Sequence, residues 1–204
     1  MRNEGAVGRF VASVRKDHEV MVRHHAKYGG RSPEGGPIAR DVVEKIGFQI
    51  LAAYRVMRLL RSADTKLGAQ VASRLIRHLY ASDIHWDADI APGVMVVHGM
   101  GMAISRSARI DEDVVLFQHC TLGEGRHPET GEVGAPHVER GVVVGAGATL
   151  LGPITIGAGS KIMPGCVVVR SVPPNSIVEA PTATVRVRAR SADAERGDAN
   201  GGRE

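Results

Sequence analysis

Aliphatic residues return every six positions through the second half of the chain. Ile84, Ile90 and Val96 are six apart. After an offset of two come Ile104, Ile110, Leu116 and Leu122. After a longer interruption come Val138, Val144, Leu150, Ile156, Ile162 and Val168. A period of six fits neither a helical face nor the two-residue alternation of a strand. It fits a parallel β-solenoid whose six-residue unit is one short strand and one corner. The aliphatic residue points into the shaft, and Gly, Ala, Ser or Pro occupies the corner. Three units make a coil, and coils stack about 4.8 Å apart. Ile110, Leu116, Val144, Leu150, Ile156 and Ile162 are therefore predicted to be buried. The interruptions leave the stack as loops, where binding and chemistry concentrate.

The first half has helical spacing instead. Val7 to about Tyr28 reads as a helix, with Val7, Phe10, Val11, Val14 and Met21 on one broad side and Gly29-Gly30 ending it. Residues 29–37, GGRSPEGGP, read as a linker. Ile38 to about Arg61 is a second helix, through Val42, Ile46, Ile50, Tyr54 and Met57. A third runs from about Thr65 to Tyr80, through Leu67, Val71 and Leu75. Helices are expected to cap the first coil, because an open solenoid end presents bare strand edges. The chain thus divides into an N-terminal helical subdomain (1–82), the solenoid (83–187) and a polar tail (188–204). The tail has almost nothing to bury and is expected to be disordered.

Composition narrows the function. The 204 residues can hold one substantial core. Aromatics at 3% and 25 glycines suit a narrow aliphatic shaft. No apolar run approaches the roughly 20 residues that span a bilayer. The N-terminus lacks the apolar core of a secretory signal, so a cytoplasmic location and no membrane partner are expected. Cys120 and Cys166 each follow a core aliphatic by four residues. They read as small buried residues, in keeping with a reducing compartment. The net charge of +4 is scattered, with few aromatics between the cations. That is not the footprint of a nucleic-acid surface, though it suits an anionic small molecule. No phosphate-binding glycine loop is present.

The motifs with chemical content lie at the first interruption. Asp83-Ile84-His85 is followed, fifteen residues after Asp83, by His98-Gly99-Met100-Gly101, and then by Thr121-Leu122-Gly123. Downstream come Gly145-Ala146-Gly147-Ala148, Leu151-Gly152-Pro153 and Val172-Pro173-Pro174. Upstream stand Gly47-Phe48 and Ala53-Tyr54-Arg55. Together, over about residues 31–181, these resemble the serine O-acetyltransferase family of hexapeptide-repeat acyltransferases. The Asp-Ile-His and His-Gly-x-Gly pair at this spacing is the specific part. The resemblance implies a left-handed parallel β-helix with an N-terminal α-helical cap. It also implies a homotrimer, acetyl-CoA as co-substrate, a small-molecule hydroxyl acceptor and no metal.

An alcohol is a poor nucleophile because its proton is held tightly. A positioned imidazole can take that proton as the oxygen attacks a thioester. A carboxylate on the other ring nitrogen fixes the tautomer. The resemblance gives His98 the role of base and Asp83 that of orienter. Fifteen residues apart, they can meet across nearly one coil. From the residues alone, His98 is equally a loop histidine and Asp83 a cap or strand-edge charge. Ala146, Gly147 and Lys161 fall at positions resembling the family's CoA groove, where Lys161 would face a phosphate.

The acceptor side departs from the family. The residue before the catalytic histidine is typically acidic there; here it is Val97. An Arg-Asp-Pro segment becomes Arg31-Ser32-Pro33, and an Arg-His pair becomes Gly134-Ala135 before Pro136. Two carboxylates that would face an ammonium are absent, as is a cationic pair that would face a carboxylate. Arg126-His127 lies earlier in the longer loop GEGRHPETGEVGAP and can return to the pocket by a register shift. An acceptor other than free L-serine is therefore expected, with serine itself as the alternative. Two other classes remain. One is a zinc hydrolyase using His98, His119, His127 or His137. The other is a non-catalytic scaffold with the same solenoid.

Overall fold

The computed structural model describes residues 5–28, 36–127 and 129–186. From Asp83 onward the chain winds as a parallel β-solenoid with three faces. Two faces carry five strands each and the third carries four. Ile84, Ile104, Leu122, Leu150 and Val168 form one column. Ile90, Ile110, Val138 and Ile156 form the second. Val96, Leu116, Val144, Ile162 and Val178 form the third. All thirteen residues of the six-residue beat are 6% exposed or less. Burying one such side chain contributes about 1.5–3 kcal/mol, so a rung of three contributes roughly 5–9 kcal/mol. Cys120 and Cys166 are buried as expected. Burial pushes the Cys120 thiol up to about 11.

Four helices precede the solenoid: α1 (Ala6–Tyr28), α2 (Ile38–Glu44), α3 (Ile46–Ser62) and α4 (Lys66–Tyr80). The single helix expected over 38–61 is in fact two. Lys45, at φ −109° and ψ 97°, is extended, and the chain redirects there. Most of the 29–37 linker and the 188–204 tail lie outside the described residues.

Two helices pack by faces other than the ones their large aliphatics suggest. In α1, Val7 and Val11 are exposed, and Asp17, Val20 and Met21 are buried. In α4, Leu67, Val71 and Leu75 face outward, and Ala69, Ser73 and Ile76 are buried. The small side chains at 69 and 73 let α4 approach α3 closely.

The helices are tied to the first coil by polar contacts. Asp17 accepts from Arg55 Nε at 2.8 Å, Arg55 Nη2 at 3.1 Å and the Gly93 N–H at 2.7 Å. Arg55 also donates to the Ile90 and Ala91 carbonyls at 2.6 and 2.8 Å. The Tyr54 hydroxyl donates to the Ala88 carbonyl at 2.6 Å, and burial raises its pKa.

Gly47 lets α3 sit directly on the third face. A Cβ there would lie 1.9 Å from the Val96 carbonyl oxygen. Helix or strand must move to admit a methyl, so Gly47→Ala should cost about 1–3 kcal/mol. Thermal unfolding checks this; an unchanged midpoint would show that α3 is not seated as described.

Candidate active site

The two-residue offset between Val96 and Ile104 is a tight turn centred on His98. The Gly99 N–H donates to the Val97 carbonyl at 2.7 Å, closing a three-residue turn. His98 sits inside it at φ +62°. This is the strained form of the γ-turn. A non-glycine residue held there costs of order 1–3 kcal/mol, and such positions cluster at functional sites.

The surroundings fix the turn. The buried Ser82 hydroxyl lies 2.8 Å from the Gly99 carbonyl and accepts from the Met102 N–H at 3.2 Å. The Gly101 N–H donates to the Tyr80 carbonyl at 3.1 Å. Behind the turn, a Cβ on Gly99 would lie 2.7 Å from Ile50 Cδ1 of α3. The rigid helix and coil thus present an exposed imidazole on a constrained backbone.

Asp83 directly follows the Ser82 pin. Its carboxylate accepts from Arg77 Nη2 of α4. Among the described residues, no hydrogen bond or ion pair joins Asp83 to His98. The direct bond expected from the sequence is not made in the single chain, because Arg77 competes for the carboxylate. Arg77 escaped the sequence reading, since nothing in a helix pattern reveals a contact six residues on.

His119 also belongs to this neighbourhood. It has φ +59°, and its N–H donates to the Met100 carbonyl at 2.9 Å. Its ring covers Gly101, where a Cβ would stand 2.1 Å from Nδ1. Next to it, the Gln118 Oε1 is buried without a partner among the described residues. A buried carbonyl in that state calls for a donor, from water or from a ligand. No group of three or more His, Cys, Asp or Glu side chains is arranged to hold a metal among the described residues.

Phe117 pairs in register with Val97 and opens a groove on the third face. The groove, about 410 Å³, is lined by Phe117, Val143, Ala146, Lys161, Met163 and Pro164, together with Gly145 and Ile162. It is apolar apart from the exposed Lys161. Gly147, at φ +69°, lies next to Ala146 on an open corner.

Comparison with known proteins bears on this arrangement. Residues 135–170 match the family described as bacterial transferase hexapeptide (six repeats). Serine acetyltransferase 2 of Arabidopsis thaliana is 33% identical over 174 residues, 84% of this chain and 53% of the relative. Serine acetyltransferase of Escherichia coli K12 is 36% identical over 133 residues, 64% of this chain and 47% of the relative. The chain thus spans about half the length of these curated relatives. A Neisseria gonorrhoeae serine acetyltransferase solved in complex with serine superposes with a TM-score of 0.73 at 27% identity. That match covers 88% of this chain and 71% of the other. A Brucella abortus serine acetyltransferase solved with coenzyme A gives 0.72 at 25% identity, covering 85% and 66%. The chain belongs to the serine O-acetyltransferase family.

The residues singled out for the acceptor sit differently from expectation within this family member. Val97 is 6% exposed and packs with Val20, Met95 and Val115. It is a wall residue of an apolar cluster against α1 and offers no polar contact. Arg126 and His127 are absorbed in a hairpin in which Gly125–Arg126 pairs antiparallel with Val133–Gly134. Arg126 Nη1 donates to the Gly131 carbonyl at 2.8 Å. His127 Nδ1 accepts from the Glu129 and Thr130 N–H groups, both at 3.2 Å. Both side chains are used locally to close the loop, and among the described residues no hydrogen bond or ion pair joins them to His98. Ser32 lies outside the described residues.

Proposed function

We propose that this protein is an acetyl-CoA-dependent O-acetyltransferase in which His98 is the general base. The observation that carries the reading is His98 itself: an exposed imidazole held at positive φ by the Ser82 pin. It stands one register step from a groove of the right character for a pantetheine arm. The acceptor oxygen loses its proton to the His98 ring as it attacks the thioester carbonyl. The tetrahedral intermediate collapses, the C–S bond breaks, and the imidazolium returns the proton to the CoA sulfur. No covalent enzyme intermediate is needed. Asp83 steadies the imidazolium once it is released from Arg77. Ala146, Gly147 and Lys161 hold CoA, with Lys161 toward a phosphate. The Gln118 carbonyl receives a donor from one of the two substrates. The working unit is a homotrimer, which encloses the groove between neighbouring solenoids.

For the acceptor, we infer a hydroxylated metabolite whose amine is blocked or absent. Val97 supports this, because it stands where the family typically carries an acidic residue and offers no carboxylate to an ammonium. Losing one charged partner of a bound ion typically costs about 2–5 kcal/mol. L-serine itself is the second reading, favoured by the names of the relatives and by the serine complex of the gonococcal protein.

An acceptor screen that follows thiol release decides between them. With both cysteines buried, the native chain should add little to the signal. The expected result is weak turnover of L-serine. A kcat/KM for serine above roughly 10⁴ M⁻¹s⁻¹ would instead make the protein a serine acetyltransferase in activity as well as in family.

A further inference from the structure

Among the described residues, helix α4 leaves a long apolar face without a partner. Leu67, Val71, Leu75 and Leu79 recur every four residues and are 74%, 49%, 55% and 67% exposed. The opposite face, Ala69, Ser73 and Ile76, is buried. At 100° per residue the four large aliphatics span about 120° of the helix surface, turned away from the packed side. Lys66, Gln70, Arg74 and Arg77 run along one border of this ridge. His78 lies within it, with its Nδ1 tied to the Arg74 carbonyl at 2.7 Å. The helix contains no acidic residue.

Charge separates the possible occupants. Residues 1–82 carry 15 Lys and Arg against 7 Asp and Glu, a net +8. Residues 83–204 carry 11 against 15, a net −4. The cations are thus concentrated in the part of the sequence that bears the ridge. A second copy docking ridge to ridge would set Lys66, Arg74 and Arg77 against their own kind. An anionic lipid surface has the opposite charge and needs no shaped partner. It takes up projecting aliphatics beneath its headgroups and meets flanking cations at them. Cationic side chains beside exposed leucines suit a helix lying in the plane of a membrane.

We propose that α4 seats the N-terminal end of this protein on an anionic lipid surface. No helix among the described residues is long and apolar enough to cross a membrane; this one lies along it. The expectation of no membrane partner rested on the absence of a spanning run, which does not bear on a surface helix. The reading does not depend on the proposed reaction.

Vesicle flotation with the full chain tests this. Vesicles of phosphatidylcholine with about 30% phosphatidylglycerol should carry the protein, and phosphatidylcholine alone should carry about tenfold less. Two double variants, Leu75→Ser with Leu79→Ser and Lys66→Glu with Arg74→Glu, should each lower the bound fraction about tenfold. All four positions are exposed, so helical circular dichroism and thiol release from acetyl-CoA should stay unchanged. No flotation with anionic vesicles, or flotation undiminished in both variants, overturns the proposal. Light scattering in which the leucine variant alone loses half its mass assigns the ridge to a second copy and also overturns it. Binding to polyglutamate in place of vesicles does the same in favour of an acidic protein.

Discussion

Replacing His98 by Ala is expected to lower kcat by about 10²–10⁴-fold, the usual worth of a positioned general base. CoA affinity should survive, because the groove at Phe117 and Ala146 does not include the ring. Among the described residues, the exposed ring makes no hydrogen bond that its loss would leave unsatisfied. A His98→Gly variant separates chemistry from folding. Glycine accepts φ +62° without a Cβ penalty, so it relaxes the turn rather than straining it. The expected pattern is an inactive protein that is at least as stable as the parent. Such an inverse relation marks a residue kept for function against local conformational preference. A His98→Ala protein with full turnover would move the base elsewhere. His119, which covers Gly101 in the same neighbourhood, would be the first place to look.

The second large effect is on stability. Asp17→Ala should destabilise the protein by about 3–5 kcal/mol, because it strands the buried Arg55 guanidinium and leaves the Gly93 N–H without its acceptor. Asp17 is 1% exposed, so water cannot readily take its place. For a chain of this size a loss of that magnitude lowers the melting temperature by roughly 6–20 °C. Removing both partners, as Asp17→Ala with Arg55→Met, should recover part of the loss, since no buried charge then remains unpaired. Thermal denaturation of the single and double variants tests this. A single-variant loss below about 1 kcal/mol would mean the pair behaves like an exposed one.

The difference between these sites explains what could be read from the sequence. The shaft was legible because its period is local: Ile84 and Ile90 announce the same geometry wherever the coil is placed. The turn at His98 was legible as a break in that period. Its conformation was not, because it depends on Ser82 and Ile50, which lie 16 and 48 residues away. Arg55 stood out by its resemblance to the family, but its partner Asp17 looked like one more polar residue on a charged helix. For α4 the pattern itself misled. Its large aliphatics mark an amphipathic face, yet the close neighbour α3 selected the side with Ala69 and Ser73. Amphipathicity says that a helix has two sides; only the neighbours decide which is inside. Asp83 carries the same lesson, since its partner Arg77 was settled by the way α4 enters the first strand.

The hairpin at 125–134 bears on how this scaffold tolerates change. It departs after Leu122 and rejoins before Val138, and those two residues keep their places in the columns on either side. Its own bonds close it, from the pairing of Gly125 with Gly134 and Arg126 with Val133 to the turn around His127. The shaft therefore does not register how long the excursion is. Such a loop behaves as an exchangeable cassette: its length and residues can drift, or be grafted from a relative, while the turn at His98 and the columns of the shaft stay in place. Sequence variation can then collect in one surface segment without any cost to the core.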